Sequence, residues 1–406
     1  MSGPLSHLRV LDLSRALAGP WAGQILADLG ADVIHVERPG AGDDTRTWGP
    51  PFLKDRDGRD TRESAYYLAT NRGKRSITLD IAQADGQRVV RELAARSDIL
   101  IENFKVGTLA KWALGYDDLK DISPGLIYCS VTGFGQTGPK RDLAAYDFAI
   151  QAMGGLMSVT GERDGNPGGG PQKVGVPIMD IMTGMYTAVA VLAALARRAA
   201  CGKGEYIDIG MLDVAAVTLC NQAMNYLISG NVPRRNGNLH PNIQPQDVFA
   251  CRDGDIVLVV GNDGQFAKLC EAMARPDLAR DARFSTNAAR VVHRDELLTL
   301  IRSEFARNDR AHWIGRLAGA GVPCAPINNV RETLHDEQIE QRRMLRDLPH
   351  PLAGTVPQVV SPMRFTEVPL QYDRPPPILG QHSDEILREI GMDDDGIRAL
   401  RGRGVV

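Results

Sequence analysis

The chain has 406 residues, of which 43% are hydrophobic and 24% are charged, and its formal net charge is −3. This is the composition of an ordinary globular protein, and the length favours two domains over one core. The small negative charge, with basic residues dispersed along the chain, excludes the basic clusters typical of nucleic-acid binding. We therefore expect no nucleic-acid partner.

Targeting and metal-binding signals are also missing from the sequence. The first residues contain no basic segment followed by an apolar one, so no secretory signal is predicted. The longest apolar segment, residues 185–196, is too short to span a bilayer. The six cysteines form no CxxC pair and the eight histidines form no HExxH motif. We expect a cytoplasmic protein without a membrane partner, a metal site or a disulfide framework.

Strand and helix patterns alternate through the first part of the chain. Residues 8–13 and 32–37 are typical of short apolar strands, and residues 19–30 between them have helical spacing with Pro20 in the first turn. Further strands are predicted at 76–80, 99–101 and 126–131, with a helix at 85–97. This order predicts an α/β fold with a Rossmann-like large domain.

The loop after the first predicted strand argues against a dinucleotide oxidoreductase. Residues 14–20 lack the glycine spacing that lets a backbone approach a pyrophosphate. Arg38, after the second strand, can still hold a ribose phosphate of NADP or of coenzyme A. A surface arginine on a loop explains the same position, so these residues alone leave the role of Arg38 open.

Glycine- and proline-rich segments indicate where the chain changes domain. They occur at residues 231–245, 323–329 and 373–380. Between the first two, a strand is predicted at 256–260 and helices at 263–274, 294–305 and 310–320. The predicted division is a large domain over residues 1–225, a small α+β domain over 226–330, and a linker with a C-terminal return to the large domain over 331–406.

Asp180 is a lone carboxylate within the apolar residues 176–182, directly before a predicted helix. A charge removed from water must be compensated or kept for chemistry. One interpretation is a helix N-cap, because aspartate accepts a hydrogen bond from a first-turn N–H. The other is a poorly solvated carboxylate nucleophile. The local residues favour the cap.

A set of short motifs follows in order along nearly the whole chain. They are residues 10–20, 29–40, 71–77, 102–104, 133–139, 145–147 and 379–382. Together they resemble the class III coenzyme A (CoA) transferases, the CaiB/BaiF family that includes formyl-CoA transferase. Three further segments are most similar to the branch of succinyl-CoA:glutarate, or dicarboxylate, CoA-transferases: residues 40–52, 322–329 and 374–382.

The resemblance places the family's nucleophilic aspartate at Asp180 and so favours the nucleophile over the cap. It implies transfer of CoA from an acyl-CoA, succinyl-CoA in this branch, to a dicarboxylic or similarly acidic acceptor through aspartyl anhydride and aspartyl-CoA thioester intermediates. CoA is then part of the substrate, with no permanently bound cofactor. The resemblance also implies an interlocked homodimer with sites formed between subunits.

An acyl-CoA racemase or epimerase of the same superfamily is the alternative. Such an enzyme needs a histidine and an aspartate for proton transfer beside the thioester. Asp147 can supply half of that pair, but no histidine lies near these motifs in the sequence.

The resemblance further assigns CoA contacts at single positions. They are Leu17, Ala18, Arg38, Leu79, Ala82, Asn103, Phe104, Lys111 and Tyr146. Lys111 stands where the formyl branch tends to have arginine, so a point charge replaces a bidentate phosphate contact.

The expected substrate contacts are Arg15, Arg46 and Trp48. Arg15 and Leu17 replace a histidine and a glutamine of the formyl branch, which argues against formyl or oxalyl chemistry. We expect either Arg15 or Arg46 to bind the distal carboxylate of the substrate. Trp48 and Tyr146 would shape the acyl pocket, although each is also consistent with a core aromatic.

Two glycine-rich segments are candidates for covering the site. Residues 161–171 are consistent with a mobile lid or with a solvated connector. Residues 261–265 stand where formyl-CoA transferases have a flexible glycine-rich flap. The glycine run is interrupted here, which puts an identical gating role in doubt.

Overall fold

The computed structural model describes residues 3–406, which divide into two compact units. The large unit contains the chain up to Leu156, Val174–Ile228 and Gln338–Val406. The small unit contains Met157–Lys173 and Ser229–Glu337. The sequence placed both ends of the small domain a few residues earlier and did not predict that the segment before Val174 belongs to it.

The described residues contain strands, α-helices and two short 3₁₀ helices. The strands are β1 (Arg9–Asp12), β2 (Asp32–Glu37), β3 (Phe52–Lys54), β4 (Asp60–Ser64), β5 (Arg75–Thr78), β6 (Ile99–Glu102), β7 (Ile127–Thr132), β8 (Glu205–Gly210), β9 (Gln246–Cys251), β10 (Gly254–Val259), β11 (Cys324–Pro326), β12 (Leu345–His350) and β13 (Gly354–Val359). The helices are α1 (Ala18–Asp28), α2 (Ala65–Leu68), α3 (Ala84–Ala94), α4 (Tyr116–Leu119), α5 (Asp147–Met153), α6 (Leu156–Val159), α7 (Ile178–Cys201), α8 (Met211–Thr218), α9 (Cys220–Ser229), α10 (Asp263–Ala272), α11 (Pro276–Arg280), α12 (Asn287–Val292), α13 (Arg294–Phe305), α14 (Arg310–Ala320), α15 (Val330–Leu334), α16 (Glu337–Gln341), α17 (Ser383–Glu389) and α18 (Asp394–Gly402). The 3₁₀ helices are Asp44–Thr47 and Ala110–Trp112.

Six parallel strands form the main sheet of the large unit, in the order β5-β2-β1-β6-β7-β8. This is the 3-2-1-4-5-6 order of a Rossmann sheet, so the predicted α/β fold with a parallel sheet is confirmed. The strand order reverses between β1 and β6, where Asp12 pairs with Ile101. Ligands of such sheets bind beyond the carboxyl ends of the strands at this switch point.

Successive side chains of a strand point to opposite faces of the sheet, so the core of the large unit lies on both faces of the main sheet. Val10 packs with residues of α1 and α7, whereas its neighbour Leu11 packs with residues of α3 and α17. Both side chains are fully buried. The sheet therefore has helices on both faces, as near-continuous apolar strands require.

Helices α1 and α7 approach each other closely at a glycine. A Cβ added to Gly184 would lie 2.7 Å from the carbonyl oxygen of Ala18 and 2.9 Å from Cδ1 of Trp21. A Cβ added to Gly23, also in α1, would lie 2.7 Å from Oδ2 of Asp12 at the end of β1. The N-terminal half of α1 thus packs closely against both α7 and the end of β1.

The C-terminal return closes the edge of the main sheet. The amide of Ser76 in β5 donates to Nδ1 of His382 at 3.2 Å, and its hydroxyl accepts from the amide of Gly380 at 2.9 Å. The amide of His382 donates back to the carbonyl oxygen of Ser76. These bonds satisfy an edge strand that would otherwise present free backbone groups.

The small unit contains an antiparallel sheet, β11-β10-β9, with an aromatic core. Phe305 and Trp313 stack with their ring centroids 4.6 Å apart. The glycine-rich segment 161–171 belongs to this unit, where Arg235 pairs with Asp164. The interrupted glycine segment starts α10, with the side chain of Asn262 accepting from the amide of Gln265.

Helix α7 has 24 residues and is long and apolar enough, by length and composition, to cross a bilayer. Core helices of globular proteins often meet the same criterion, so this is weak evidence for a membrane span. Four large side chains of α7 are exposed within this chain: Met185, Tyr186, Val189 and Leu192.

Candidate active site

Asp180 is the third residue of α7 and lies inside the first turn. The helix begins at Ile178, and Pro177 occupies the N-cap position without a side-chain hydrogen bond. The local interpretation of Asp180 as the cap of its own helix is therefore wrong. Its carboxylate is left free for another role.

Asp147, the first residue of α5, caps α7 in its place. Its Oδ1 accepts hydrogen bonds from the amides of Met179 at 2.7 Å and Asp180 at 3.2 Å. Its Oδ2 accepts from the side-chain amide of Gln151 at 2.6 Å. A carboxylate that satisfies two first-turn amides stabilises the start of a helix. Asp147 thereby fixes the backbone that carries Asp180.

The surroundings of the Asp180 carboxyl raise its pKa to about 7. Burial is the largest cause, and the negative charge of Asp147 adds to it. A hydrogen bond from the backbone of Ala18 acts in the opposite direction by stabilising the ionised form. Ala18 is the first residue of α1, so its amide is one of the donors that the helix leaves unpaired. Asp180 thus lies at the N-termini of two helices, where negative charge is favoured.

Tyr66 lies close to both carboxylates. Burial, followed by the charges of Asp180 and Asp147, raises the pKa of its phenol to about 12. The ring packs edge-on against Trp48 with 5.0 Å between centroids. Trp48 is 40% exposed, so the structure places it at the border of the site rather than in a core. The sequence predicted Trp48 and missed Tyr66, for which it offered no local signal.

A cleft of about 350 Å³ opens at the switch point of the sheet. Five residues expected to contact CoA or substrate line it: Arg15, Arg38, Leu79, Ala82 and Phe104. Its walls also include Lys105, Thr108 and Trp112, which the sequence reasoning missed. All three follow the Glu-Asn-Phe motif at residues 102–104 closely, and this position could have indicated that they line the cleft.

Arg15 is held in the cleft wall by two neighbouring residues. Its guanidinium lies 4.8 Å from the ring centroid of Phe104. The side chain of Asn103 accepts from the amide of Arg15 at 2.9 Å and donates to its carbonyl oxygen at 2.7 Å. The structure thus brings together three residues that the sequence predicted separately.

The other expected CoA residues lie outside the cleft lining. Lys111 is exposed on the short helix Ala110–Trp112, and Lys105 provides the lysine of the cleft instead. Leu17 and Ala18 are buried at the start of α1. Tyr146 is 69% exposed and directly precedes Asp147, which is inconsistent with a core aromatic in the isolated chain.

Arg46 is buried and fully engaged within the protein. Its guanidinium bonds to Glu37 at 2.7 and 2.8 Å, to Glu63 at 2.5 Å and to the carbonyl oxygen of Pro377 at 3.1 Å. It also lies 3.7 Å from the ring centroid of Tyr67. The structure therefore does not support a contact between Arg46 and substrate, and Arg15 is the candidate that remains.

These features are those of an α/β protein with a desolvated carboxylate, Asp180, and a cleft large enough for part of a nucleotide-containing ligand. Within residues 3–406, no group of three or more His, Cys, Asp or Glu side chains has an arrangement able to hold a metal ion.

Comparison with known proteins identifies the family. The profile of CoA-transferase family III matches residues 5–383, and the chain belongs to this family. It is 48% identical over 387 residues to the succinate–glutarate CoA-transferase of Agrobacterium fabrum, covering 95% of this chain and 96% of that protein. It is 41% identical over 404 residues to the succinyl-CoA:glutarate CoA-transferase of Mus musculus, covering 99% and 90%.

A solved structure agrees with this assignment. The crystal structure of a CAIB/BAIF family protein from Brucella suis matches with a TM-score of 0.84 and 47% identity, covering 96% of this chain and 100% of that one. The resemblance predicted from the sequence motifs is confirmed, including the branch of succinyl-CoA:glutarate CoA-transferases. The protein is an enzyme that uses CoA thioesters.

Proposed function

We propose that the protein transfers CoA from succinyl-CoA to a dicarboxylic acid, with glutarate as the first candidate acceptor and Asp180 as the nucleophile. The observation that carries the proposal is the position of the Asp180 carboxylate, partly desolvated at two helix N-termini with a pKa near neutrality. The names of two relatives that are 48% and 41% identical support the donor and the acceptor.

The first half of the reaction forms a CoA thioester on the enzyme. A carboxylate oxygen of Asp180 attacks the thioester carbonyl of succinyl-CoA, the carbon–sulfur bond breaks, and CoA leaves as the thiolate. The product is a mixed anhydride of succinate and Asp180. The thiolate then attacks the Asp180 carbonyl carbon, which releases succinate and leaves CoA joined to Asp180.

The second half repeats these steps with the acceptor. A carboxylate of the acceptor attacks the Asp180 thioester, giving a second anhydride and free CoA thiolate. The thiolate attacks the acceptor carbonyl, so the acceptor leaves as its CoA ester and Asp180 is regenerated. The Ala18 amide is positioned to stabilise the negative charge that develops on the Asp180 carbonyl oxygen in the two steps in which the Asp180 carbonyl carbon is attacked.

CoA and the acceptor would use different parts of the site. Arg38 and Lys105 supply positive charge along the cleft for the CoA phosphates, and Phe104 and Trp112 supply apolar walls. Arg15 also lines the cleft, and it precedes Ala18, whose amide bonds to Asp180, by three residues. Arg15 would therefore bind the distal carboxylate of a dicarboxylic acid.

The exposed apolar surface of the large unit supports the proposed homodimer. On α7 the exposed side chains Met185, Val189 and Leu192 follow one helical face. On α9 they are joined by Met224, Tyr226, Leu227 and Ile228. Exposed large apolar side chains in this number on two helices are typical of an interface. A second copy of the chain is the partner that the family assignment favours.

Light scattering coupled to size-exclusion chromatography tests the dimer. We expect a mass near twice the 44.1 kDa of one chain. A monomer mass at micromolar concentration would contradict the dimer.

Chromatography of CoA esters tests the transfer. The enzyme is mixed with succinyl-CoA and, in separate reactions, with glutarate, itaconate, malate, 3-sulfinopropionate or a monocarboxylate. We expect a new CoA ester with at least one acidic acceptor, glutarate first, and none with the Asp180→Ala variant. Exchange that persists in this variant would contradict the nucleophile, and exchange only with the monocarboxylate would contradict the acceptor class.

A further inference from the structure

The loop that joins β1 to α1 is held by three polar side chains, two of which are buried. The backbone amides of residues 14–16 donate in turn to Asp12 at 3.0 Å, Asn103 at 2.9 Å and Asp43 at 3.1 Å. Two residues further along, the amide of Ala18 bonds to the candidate nucleophile. The three acceptors therefore fix the path of the backbone that delivers this donor.

The middle of this loop has a conformation that its sequence does not favour. Ala16 has a φ of +66°, in the left-handed region that residues with a Cβ rarely adopt. Its amide is the group that Asp43 accepts. A strained residue persists only where its surroundings impose the conformation, and Asp43 makes the hydrogen bond that imposes it here.

Asp43 is itself fixed on its other side. It is 1% exposed, and its Oδ1 accepts from the amide of Thr45 at 2.8 Å and from the hydroxyl of Thr45 at 2.6 Å. Its own amide donates to Glu37 at 3.0 Å. Only Oδ2 is directed to the loop, so the carboxylate acts as a rigid link between the segment after β2 and Ala16.

A buried charged cluster joins Asp43 to the second carboxylate under the loop. The ring of His35 lies between them, with Nδ1 3.4 Å from Asp12 and Nε2 3.8 Å from Asp43. Lys74 donates to Asp12 at 2.9 Å. His35, Lys74 and Asp12 are fully buried. His35, Lys74 and Asp12 do not line the cleft, whereas Asp43 contributes to its wall, so the first three residues support the loop from beneath.

We propose that Asp43 is a positioning residue for CoA transfer: by holding Ala16 in its left-handed conformation, it places the Ala18 amide against Asp180. This inference rests on the proposed role of Asp180 as the nucleophile. Its effect is on the reaction of bound substrate, because the Ala18 amide stabilises the negative charge that develops on the Asp180 carbonyl oxygen in the two steps that attack the Asp180 carbonyl carbon.

The Asp43→Asn variant tests this role with little change in side-chain volume. The oxygen of the new side-chain amide can still accept from Thr45. Its NH₂ group then faces the Ala16 amide, so the hydrogen bond to Ala16 is lost. We expect kcat to fall by about tenfold or more, since small misplacements of catalytic groups have effects of this size. The KM for succinyl-CoA should change by less than about twofold, because Asp43, although it contributes to the cleft wall, is 1% exposed and its Oδ2 is already bonded to the Ala16 amide. Asp57→Asn is the matched control: it makes the same change at an exposed carboxylate that pairs with Arg59, and it should leave kcat unchanged.

A second substitution separates positioning from general damage to the fold. Glycine adopts positive φ without steric cost, so the loop of Ala16→Gly depends less on Asp43. We expect the loss of kcat caused by Asp43→Asn to be several-fold smaller in the Ala16→Gly background. Equal losses in both backgrounds, or wild-type kcat in Asp43→Asn, would overturn the inference. Absence of exchange in the wild-type enzyme would instead overturn the proposed function.

Discussion

Asp147 acts on Asp180 in two opposing ways. Its carboxylate accepts a hydrogen bond of 3.2 Å from the backbone amide of Asp180, which holds the first turn of α7 in place. Its charge also raises the pKa of the Asp180 side chain, which disfavours the nucleophilic form. One residue thus both positions the candidate nucleophile and brings its protonation equilibrium close to neutral pH.

Neutralising Asp147 should separate these two effects. In Asp147→Asn the like charge is lost, so the pKa of Asp180 falls while burial still keeps it above its ordinary value. We expect the acid limb of the kcat/KM profile to move to lower pH. Asp142→Asn, which neutralises an exposed acid on the preceding segment, should leave the limb in place. An unmoved limb in Asp147→Asn would show that this charge does not act on Asp180.

The wild-type enzyme should lose activity in mild acid. Attack requires the ionised carboxylate, and the pKa of Asp180 is raised to about 7 by burial and by Asp147. We expect kcat/KM to fall about tenfold per pH unit below pH 7 and to level off above it. Initial rates of CoA-ester formation between pH 5 and 9 measure this profile. A flat profile down to pH 5 would contradict the raised pKa.

The Asp180→Asn variant should be inactive but more stable than the wild type. The folded carboxyl keeps its proton up to about pH 7, whereas in the unfolded chain it ionises near its ordinary pKa of 3.8. The wild type therefore loses stability as the pH rises between these values, and the amide variant does not. We expect the difference in Tm to grow from about pH 4 to 7 and to stay constant above that. Exchange should fall at least about a thousandfold.

Enlarging Gly184 should separate α1 from the nucleophile. A Cβ at this position would lie 2.7 Å from the carbonyl oxygen of Ala18, so α1 must shift. We expect Gly184→Ala to cost about 1–3 kcal/mol of unfolding free energy and to lower kcat. Gly315→Ala, in a helix with nothing within 4 Å of the added Cβ, should be neutral or stabilising by about 0.5–1 kcal/mol. Denaturant unfolding and initial rates measure both variants.

The two arginines near the site should behave differently when replaced. Arg46→Met leaves Glu37 and Glu63 buried without their cation, and we expect a loss of about 3–5 kcal/mol in stability. Arg15→Gln should keep the fold and raise the KM for glutarate by about tenfold, because one charge-assisted contact is lost. The KM for a monocarboxylate is the internal control. An equal change for both acids would contradict a contact with the distal carboxylate.

Local sequence patterns were sufficient to predict the strands and helices but not the contacts between them. The periodicity of residues 8–37 predicted β1, α1 and β2 because side-chain alternation and helical spacing are properties of neighbouring residues. The start of α7 was predicted too late, since its cap comes from Asp147, which lies 33 residues before Asp180 in the chain. Burial likewise distinguishes Arg46 from Arg15, and burial depends on residues distant in sequence.

The contacts of Ser76 with His382 span 306 positions of the chain. During synthesis β5 therefore leaves the ribosome long before the segment that covers it. Until that segment is made, the edge strand β5 exposes unpaired backbone groups that can pair with another extended chain. Chaperones protect nascent chains against aggregation of this kind. Removing residues 377–406 would make this exposure permanent, so a segment that is made late protects the first sheet to emerge against aggregation.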